Sequence, residues 1–258
     1  MSKTAIVYTC AHAEPDKSNE RFDWLGQLIY DVKPDYVIDL GDGADMRSLN
    51  SYDSTRPAAI VSQNYGEDID CYNDAQERIR WQFKKNRKKR PAFYGFEGNH
   101  ETRIKKAISH DPRVEDRSGK GRGISFRHLN TDRWFDEYWE YENGAPAIHS
   151  YDGVDYAHFI SSGNLGRAMS GDYHAANLLK KRMNSCTVGH SHKLNIAFRP
   201  DAGAIGLVAG CFKGGAEDWA GQANQEWSTG VVIKRNLDSG VYDFEWVSVD
   251  RLREAYSS

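Results

Sequence analysis

No stretch constrains this chain more than the one from Thr4 to Leu40. Thr4–Thr9 (TAIVYT) is a β-branched and aromatic run, as a strand prefers. It stops at Cys10-Ala11-His12, and a polar turn follows over Glu14–Ser18. Asn19–Val32 then places Phe22, Leu25, Leu28 and Ile29 at the spacing of one helical face. Pro34-Asp35 punctuates, and Tyr36–Leu40 (YVIDL) is a second strand ending at Gly41-Asp42-Gly43. Strand, helix and strand within about forty residues predict a βαβ unit, hence a parallel pair joined by a right-handed crossover. An α/β class follows.

The same grammar recurs. Asp45–Asp70 has no clean period and reads as a loop-rich connection. Tyr72–Arg90 reads as a helix with Ala75, Ile79 and Phe83 on one stripe, stopped by Pro91. Ala92–Phe96 is a third strand running into Gly98-Asn99-His100-Glu101, and Thr102–Ser109 a helix. His110–Arg127, rich in Gly, Arg and Lys, is expected to be an exposed loop. Val154–Ile160 reads as a strand, Ser161–Gly166 as a small-residue loop and Tyr173–Met183 as a helix. Ser185–Val188 is a strand entering Gly189-His190-Ser191-His192. From Ile196 to Val249 short strands prevail, including Gly230–Lys234 and Val241–Val247. With no internal repeat and no linker-like composition, the expectation is one domain over 1–258, with 110–150 a loop and aromatic insertion placed to cover a site.

Composition excludes several classes. Hydrophobic residues at 39% and charged residues at 28% argue against disorder. A net charge of −3 argues against binding nucleic acid through bulk charge. No apolar run approaches the roughly 20 residues that span a bilayer, so no membrane partner is expected. The start, Met-Ser-Lys-Thr-Ala-Ile-Val-Tyr, lacks the apolar region of a secretion signal. Cys10, Cys71, Cys186 and Cys211 never form Cys-x-x-Cys, which points to a reducing cytoplasm rather than to disulfides. Away from Cys10, the thiols read as small hydrophobes.

Four apolar runs end within a residue or two of metal-capable side chains: Cys10 and His12, Asp42, Asn99 and His100, and His190 and His192. Sites in open α/β sheets form outside the carboxyl ends of strands, where such residues converge. Positions i and i+2 of an extended chain share a face about 6.6 Å apart. On that geometry His190 and His192 would each serve one ion of a pair about 3.5–4 Å apart, and Cys10 and His12 would hold one ion between them. The plain alternative, ordinary histidines at strand ends, fits any single one but not all together.

The series Cys10-x-His12, Gly41-Asp42-x-x-Asp45, Gly98-Asn99-His100-Glu101, His158 and Gly189-His190-x-His192 resembles the calcineurin-like metallophosphoesterases in order and spacing, and most of all their compact bacterial and phage-type members. The likeness runs from residue 4 to about residue 195. It implies a two-layer β-sandwich of mixed sheets flanked by helices, and a metal-dependent hydrolase of phosphomonoesters or phosphodiesters. It also implies two divalent transition metal ions (Mn, Zn, Fe or Ni) and attack by a hydroxide bridging them. Asp42 would bridge the ions. Cys10, His12 and His192 would complete one site; Asn99, His158 and His190 the other. His100 would stand beside the leaving oxygen, oriented by Asp45, for which a turn cap is the plainer role.

The chain departs from the family pattern in places. The first motif normally begins with Asp, and Cys10 stands there instead. A thiolate ligand would favour zinc or iron over manganese or magnesium; a spectator thiol would leave the first site weak. Phe159 follows His158 where the family has a small residue, so His149 and His174 compete for that role. Asp45-Met46-Arg47 replaces the Asp-Arg-Gly of protein phosphatases, which argues against a phosphoprotein substrate. Arg47 and Arg103 are candidate phosphate clamps, or plain surface arginines.

Two further features have two readings each. Lys84–Arg90 (KKNRKKR) holds six cations in seven residues, fitting a nucleic-acid track or a helix C-terminus whose dipole favours cations. Trp134–Tyr141 (WFDEYWEY) fits a stacking platform, although its acids favour core packing or a lid. The expected partner is a phosphoester, with nucleotide and nucleic acid among the candidates. The alternatives to a general phosphoesterase are a nuclease-like DNA-processing enzyme and a catalytically weakened metal- or nucleic-acid-binding protein.

Overall fold

A computed structural model describes residues 2–50, 63–163 and 166–257. The βαβ start forms as the sequence predicts: β1 (Lys3–Tyr8), α1 (Glu20–Val32) and β2 (Tyr36–Asp39), with β1 and β2 parallel. Beyond β2 lie β3 (Ala92–Phe96) and β4 (Glu137–Trp139), both parallel. On the other side of β1, β12 (Gly230–Asp238) and β13 (Val241–Ser248) pair antiparallel and complete a six-stranded sheet. A second sheet has the order β10 (Leu194–Arg199), β11 (Ala204–Ala209), β9 (Ser185–Val188), β6 (Val154–Ala157), β5 (His149–Tyr151), with β11, β9 and β6 parallel. A short hairpin joins β7 (Ser161–Ser162) to β8 (Arg167–Ala168).

The two sheets stack face to face. Ala5, Val7, Ile38, Leu40 and Val232 of the first meet Val154, Tyr156, Leu207 and Ala209 of the second, all fully buried or nearly so. Alternate residues of β1 and β2 (Ile6, Tyr8, Val37) point the other way, onto helices. Both faces are covered, which is why these strands read as unbroken apolar runs. The outer helical layer on the first sheet is α1 with α2 (Tyr65–Lys85), through Phe22, Leu25 and Ile29 against Ala75 and Ile79. On the second sheet α5 (His174–Arg182) packs Ala175 and Leu178 on Cys186, Val188 and Val208. The result is the mixed two-layer sandwich flanked by helices. Each fully buried Val, Leu or Ile side chain contributes roughly 1.5–3 kcal/mol.

Element ends differ from the sequence reading for local reasons. Helix α2 starts at Tyr65, seven residues before the predicted Tyr72, because Asn64 caps it by accepting from the Gly66 amide. Its polar first turns hide the helical period. It ends at Lys85, short of Arg90, where Arg87 turns left-handed (φ 50°). Of the segment read as a loop from 45 to 70, residues 51–62 lie outside the described residues. Thr102–His110 is helix α3, as expected. The aromatic run splits into a short helix α4 (Thr131–Trp134) and the edge strand β4, so part of 110–150 belongs to the first sheet. Helix α6 (Val249–Tyr256) has no counterpart in the sequence reading; only Leu252 of it is buried, too little for a visible stripe. Among the described residues no helix is long and apolar enough to cross a membrane.

Candidate metal centre

Strands β1, β2, β3, β6 and β9 deliver their carboxyl ends to one rim. There the chain leaves extended geometry. Cys10 (φ 48°), His12 (φ 44°), Asp42 (φ 55°), His190 (φ 67°) and His192 (φ 61°) are all left-handed, a conformation unfavourable for side-chain-bearing residues and concentrated at functional sites. The extended i, i+2 geometry expected for Cys10/His12 and His190/His192 is therefore corrected: strands end at Tyr8 and Val188, and loop kinks aim these side chains. Backbone bonds lock the kinks, with the Cys10 and His12 amides donating to the Gly41 and Asp42 carbonyls, both at 2.9 Å. The loops also approach closely. A Cβ on Gly98 would sit 2.2 Å from the Asp42 amide nitrogen.

The seven expected ligands come together. Cys10, His12 and His192 offer ligand atoms within 4.8 Å of one another, as do Cys10, Asp42 and His158. His12 Nε2 faces His192 Nε2 at 3.2 Å. Asn99 Oδ1 lies 2.8 Å from His190 Nδ1 and 3.0 Å from His158 Nε2, and Asp42 Oδ2 lies 3.2 Å from His158 Nε2. His190 and His192 thus part company, one towards Asn99 and His158, the other towards His12. Cys10 stands between, its buried Sγ accepting from the His190 amide at 3.2 Å. The competitors lie apart: His149 stacks on Trp139 at 3.9 Å, and His174 touches Ser191.

The hydrogen-bond partners show what this cluster fits. His158 Nδ1 commits its proton to the Leu40 carbonyl at 2.8 Å, so in the neutral ring Nε2 carries a lone pair. That lone pair faces the Asn99 carbonyl oxygen and the Asp42 carboxylate. Likewise His12 Nδ1 donates to Asp45 Oδ1 at 2.7 Å, turning its Nε2 lone pair towards His192. Acceptors facing acceptors in a buried place repel unless a cation sits among them. Burial drives His12 well below its ordinary pKa, His190 to about 4 and His192 to about 3, so their rings are neutral and free to ligate. For His158 burial opposes charge, but the Asp42 carboxylate outweighs it and raises the pKa. Burial would also raise Asp42, yet His158 and His100 hold it well below the carboxylate range. Burial, then Asp42, pushes the Cys10 thiol up. The donor set, imidazole nitrogens with two oxygen donors and a sulfur, suits divalent transition metals.

His100 and Asp45 stand at the edge of the cluster. The His100 amide donates to Asp42 Oδ1 at 2.8 Å, and its Nδ1 donates to the Asp45 backbone carbonyl at 2.7 Å, with the Asp45 carboxylate farther at 3.3 Å. The carboxylate's nearer partner is His12. Arg103 also donates to the Asp45 carbonyl, at 2.8 Å, and its Nη2 lies 3.3 Å from His100 Nε2, beside the cluster. Arg47 is held elsewhere, by Asp16 at 2.9 Å and Glu14 at 3.5 Å.

Three supporting residues carried no role in the sequence reading. The buried Glu101 carboxylate accepts from the Asp42, Ala44 and Gly98 amides at 2.9–3.0 Å and ties the loops after β2 and β3 together. Its place in Gly98-Asn99-His100-Glu101 was the available signal. Arg21, buried in α1, donates to the Ala11 and His12 carbonyls and to that of Phe212. Lys213, 2% exposed, lies 3.1 Å from Glu217, 3.5 Å from Glu14 and 3.8 Å from Asp45. Nothing local in the sequence marks either. Aromatic rings border the cluster: Phe159 lies 5.0 Å from the His190 ring and Trp227 4.6 Å from that of His192.

No protein-family profile matches the chain, and no curated protein does. Among solved structures, a Vps29 single mutant from Entamoeba histolytica aligns over 95% of this chain and 98% of that one, at 10% identity and a TM-score of 0.36. The protein TT1561 of Thermus thermophilus aligns over 96% and 100%, at 8% identity and a TM-score of 0.37. These are distant likenesses of overall shape.

Proposed function

We propose that the chain is a metal-dependent phosphoesterase of the calcineurin-like metallophosphoesterase kind, hydrolysing a phosphomonoester or phosphodiester at this rim. The observation that carries the reading is the set of buried acceptors turned on one another, above all His158 Nε2 against Asn99 and Asp42. Two divalent ions, one among Cys10, His12, Asp42 and His192 and the other among Asp42, Asn99, His158 and His190, would supply Lewis acidity to phosphoryl oxygens and acidify water. The chain's own residues do the rest. Asp45 fixes the tautomer of His12, and the Leu40 carbonyl fixes that of His158. His100, held by the Asp45 carbonyl, presents Nε2 towards the side where a leaving oxygen would depart, and Arg103 brings a guanidinium to the same side for a phosphoryl oxygen.

Metal analysis of protein purified without supplementation, together with hydrolysis of chromogenic mono- and diesters in Mn, Zn, Fe or Ni, tests this. The expected outcome is close to two equivalents of metal and turnover of at least one ester. Two equivalents without turnover would favour a metal-binding protein instead. Cys10 is tested by two variants. Cys10→Asp is expected to move preference towards manganese, and Cys10→Ala to weaken metal affinity about 10–100-fold, the loss typical of a disturbed metal site. Unchanged stoichiometry and affinity in Cys10→Ala would make the thiol a bystander.

A further inference from the structure

The cations of Lys84–Arg90 are not at the metal rim. They precede β3, and Asn99 follows it. Seven residues of near-extended chain separate Ala92 from Asn99, about 23 Å at the rise of a strand. A small ester at the metal centre cannot touch them, so the run is no track into the site.

The helix dipole accounts for only part of the run. Lys84 and Lys85 belong to the last turn of α2, where a cation is favourable. Arg87, Lys88 and Lys89 lie past it. The helix closes with the Lys88 amide on the Phe83 carbonyl at 3.0 Å and the Arg87 amide on that of Lys84 at 3.3 Å, with Arg87 left-handed between them. Glycine is the residue this closure prefers, and the chain puts an arginine there. Lys84 pairs with Glu77 and Arg90 with Asp136. Among the described residues no ion pair holds Lys85, Arg87, Lys88 or Lys89, all of them exposed. One turn before them Trp81 is 46% exposed, with Lys84 Nζ 5.9 Å from its ring centre. Trp81 shares a helix face with Lys84, Lys85 and, by continuation, Lys88.

We infer that Trp81 with Lys85, Arg87, Lys88 and Lys89 forms an anchoring surface for single-stranded nucleic acid, separate from the metal centre. The unpaired cations neutralise phosphates and release counterions, and the indole offers a face on which a base stacks. A chain of net charge −3 repels a polyanion elsewhere, which directs it to this patch. The surface is independent of hydrolysis and stands or falls separately from the proposed reaction.

The test is a fluorescence-anisotropy titration of a labelled 12-nucleotide single strand, its integrity checked afterwards, against the full chain at several salt concentrations. Four phosphate contacts give a log–log salt slope of about −3. The triple variant Arg87→Gly/Lys88→Ser/Lys89→Ser keeps a favourable helix end and is expected to weaken binding at least tenfold and to flatten the slope. Trp81→Ala is expected to weaken binding at least fivefold and leave the slope unchanged. Hydrolysis of a small chromogenic ester should be equal in all three proteins. Equal oligonucleotide binding by wild type and triple variant overturns the inference. So does binding to vesicles of phosphatidylcholine and phosphatidylserine with none to the oligonucleotide, since the surface would then serve a membrane. Loss of helix signal in the triple variant is checked by circular dichroism, and Lys88→Glu/Lys89→Glu, which leaves the turn residue in place, then decides.

Discussion

The metal rim and the layer between the sheets are both buried, and they are built on opposite terms. Between the sheets, Val7, Ile38, Leu40, Val232 and Leu207 need nothing but each other. The one ammonium there, Lys234 on β12, is fully buried with hydroxyls rather than carboxylates for company, Thr187 at 2.6 Å and Tyr156 at 3.2 Å, and rings of Tyr156 and Tyr242 beside it. At the rim the backbone is left-handed at five ligand positions and acceptors confront acceptors. The layer satisfies its own interactions. The rim stays incomplete until a cation arrives, so folding energy from the first holds open the second.

The sharpest way to break this contrast is Asp42→Asn. Losing the carboxylate shared by both groups of ligands should remove most bound metal and lower ester hydrolysis about 10³-fold, the scale of several kcal/mol of transition-state stabilisation. Retained metal and turnover would show that the acceptors are satisfied some other way. Next in size is the effect of metal itself on stability. A ligand at a hundredfold excess over its Kd adds about 2.7 kcal/mol, so chelation should lower the melting temperature by about 5–10 °C at 2–4 °C per kcal/mol. The shift should vanish in Asp42→Asn and persist in Lys234→Met. Glu101→Gln comes third. The amide retains one accepting oxygen for three buried N–H donors, and a loss of about 1–3 kcal/mol in chemical denaturation is expected. No loss would mean that the two loops hold without this tie.

The smallest effect lies between the sheets. Burial holds the Lys234 pKa well below its ordinary value. The unfolded chain keeps that proton up to about pH 10.4, so it binds more protons than the folded one over the range below. Stability supplied by the neutral folded form therefore rises with pH, by up to about 1.4 kcal/mol per unit. Denaturation of metal-free protein at pH 7 and pH 9 should show the rise in wild type and a flatter response in Lys234→Met. Parallel responses would mean the ammonium stays charged inside.

Much of the rim is legible in the chain because each ligand follows a strand by one or two residues, and strands are written in local apolar runs. Cys10, His12, Asp42, Asn99, His190 and His192 are found that way. His158 shows why this has limits: His149 and His174 look equal to it until β6 ends beside Asn99, while His149 goes to Trp139. Arg47 and Arg103 likewise look alike in sequence, and only the fold gives one to Asp16 and the other to the side of His100. Lys213 and Arg21 leave no trace in any motif, for their partners lie up to about two hundred residues away.

Sequence alone therefore determines the alternation of strands and helices, the α/β class and the side chains able to bind a cation, since periodicity and strand ends are local properties. Tertiary structure decides which imidazole meets which, where the basic run sits relative to the metal ligands and which charges are buried together. Those choices depend on left-handed turns at Cys10, His12, Asp42, His190 and His192, held by hydrogen bonds between loops distant in the chain, and no periodicity encodes them.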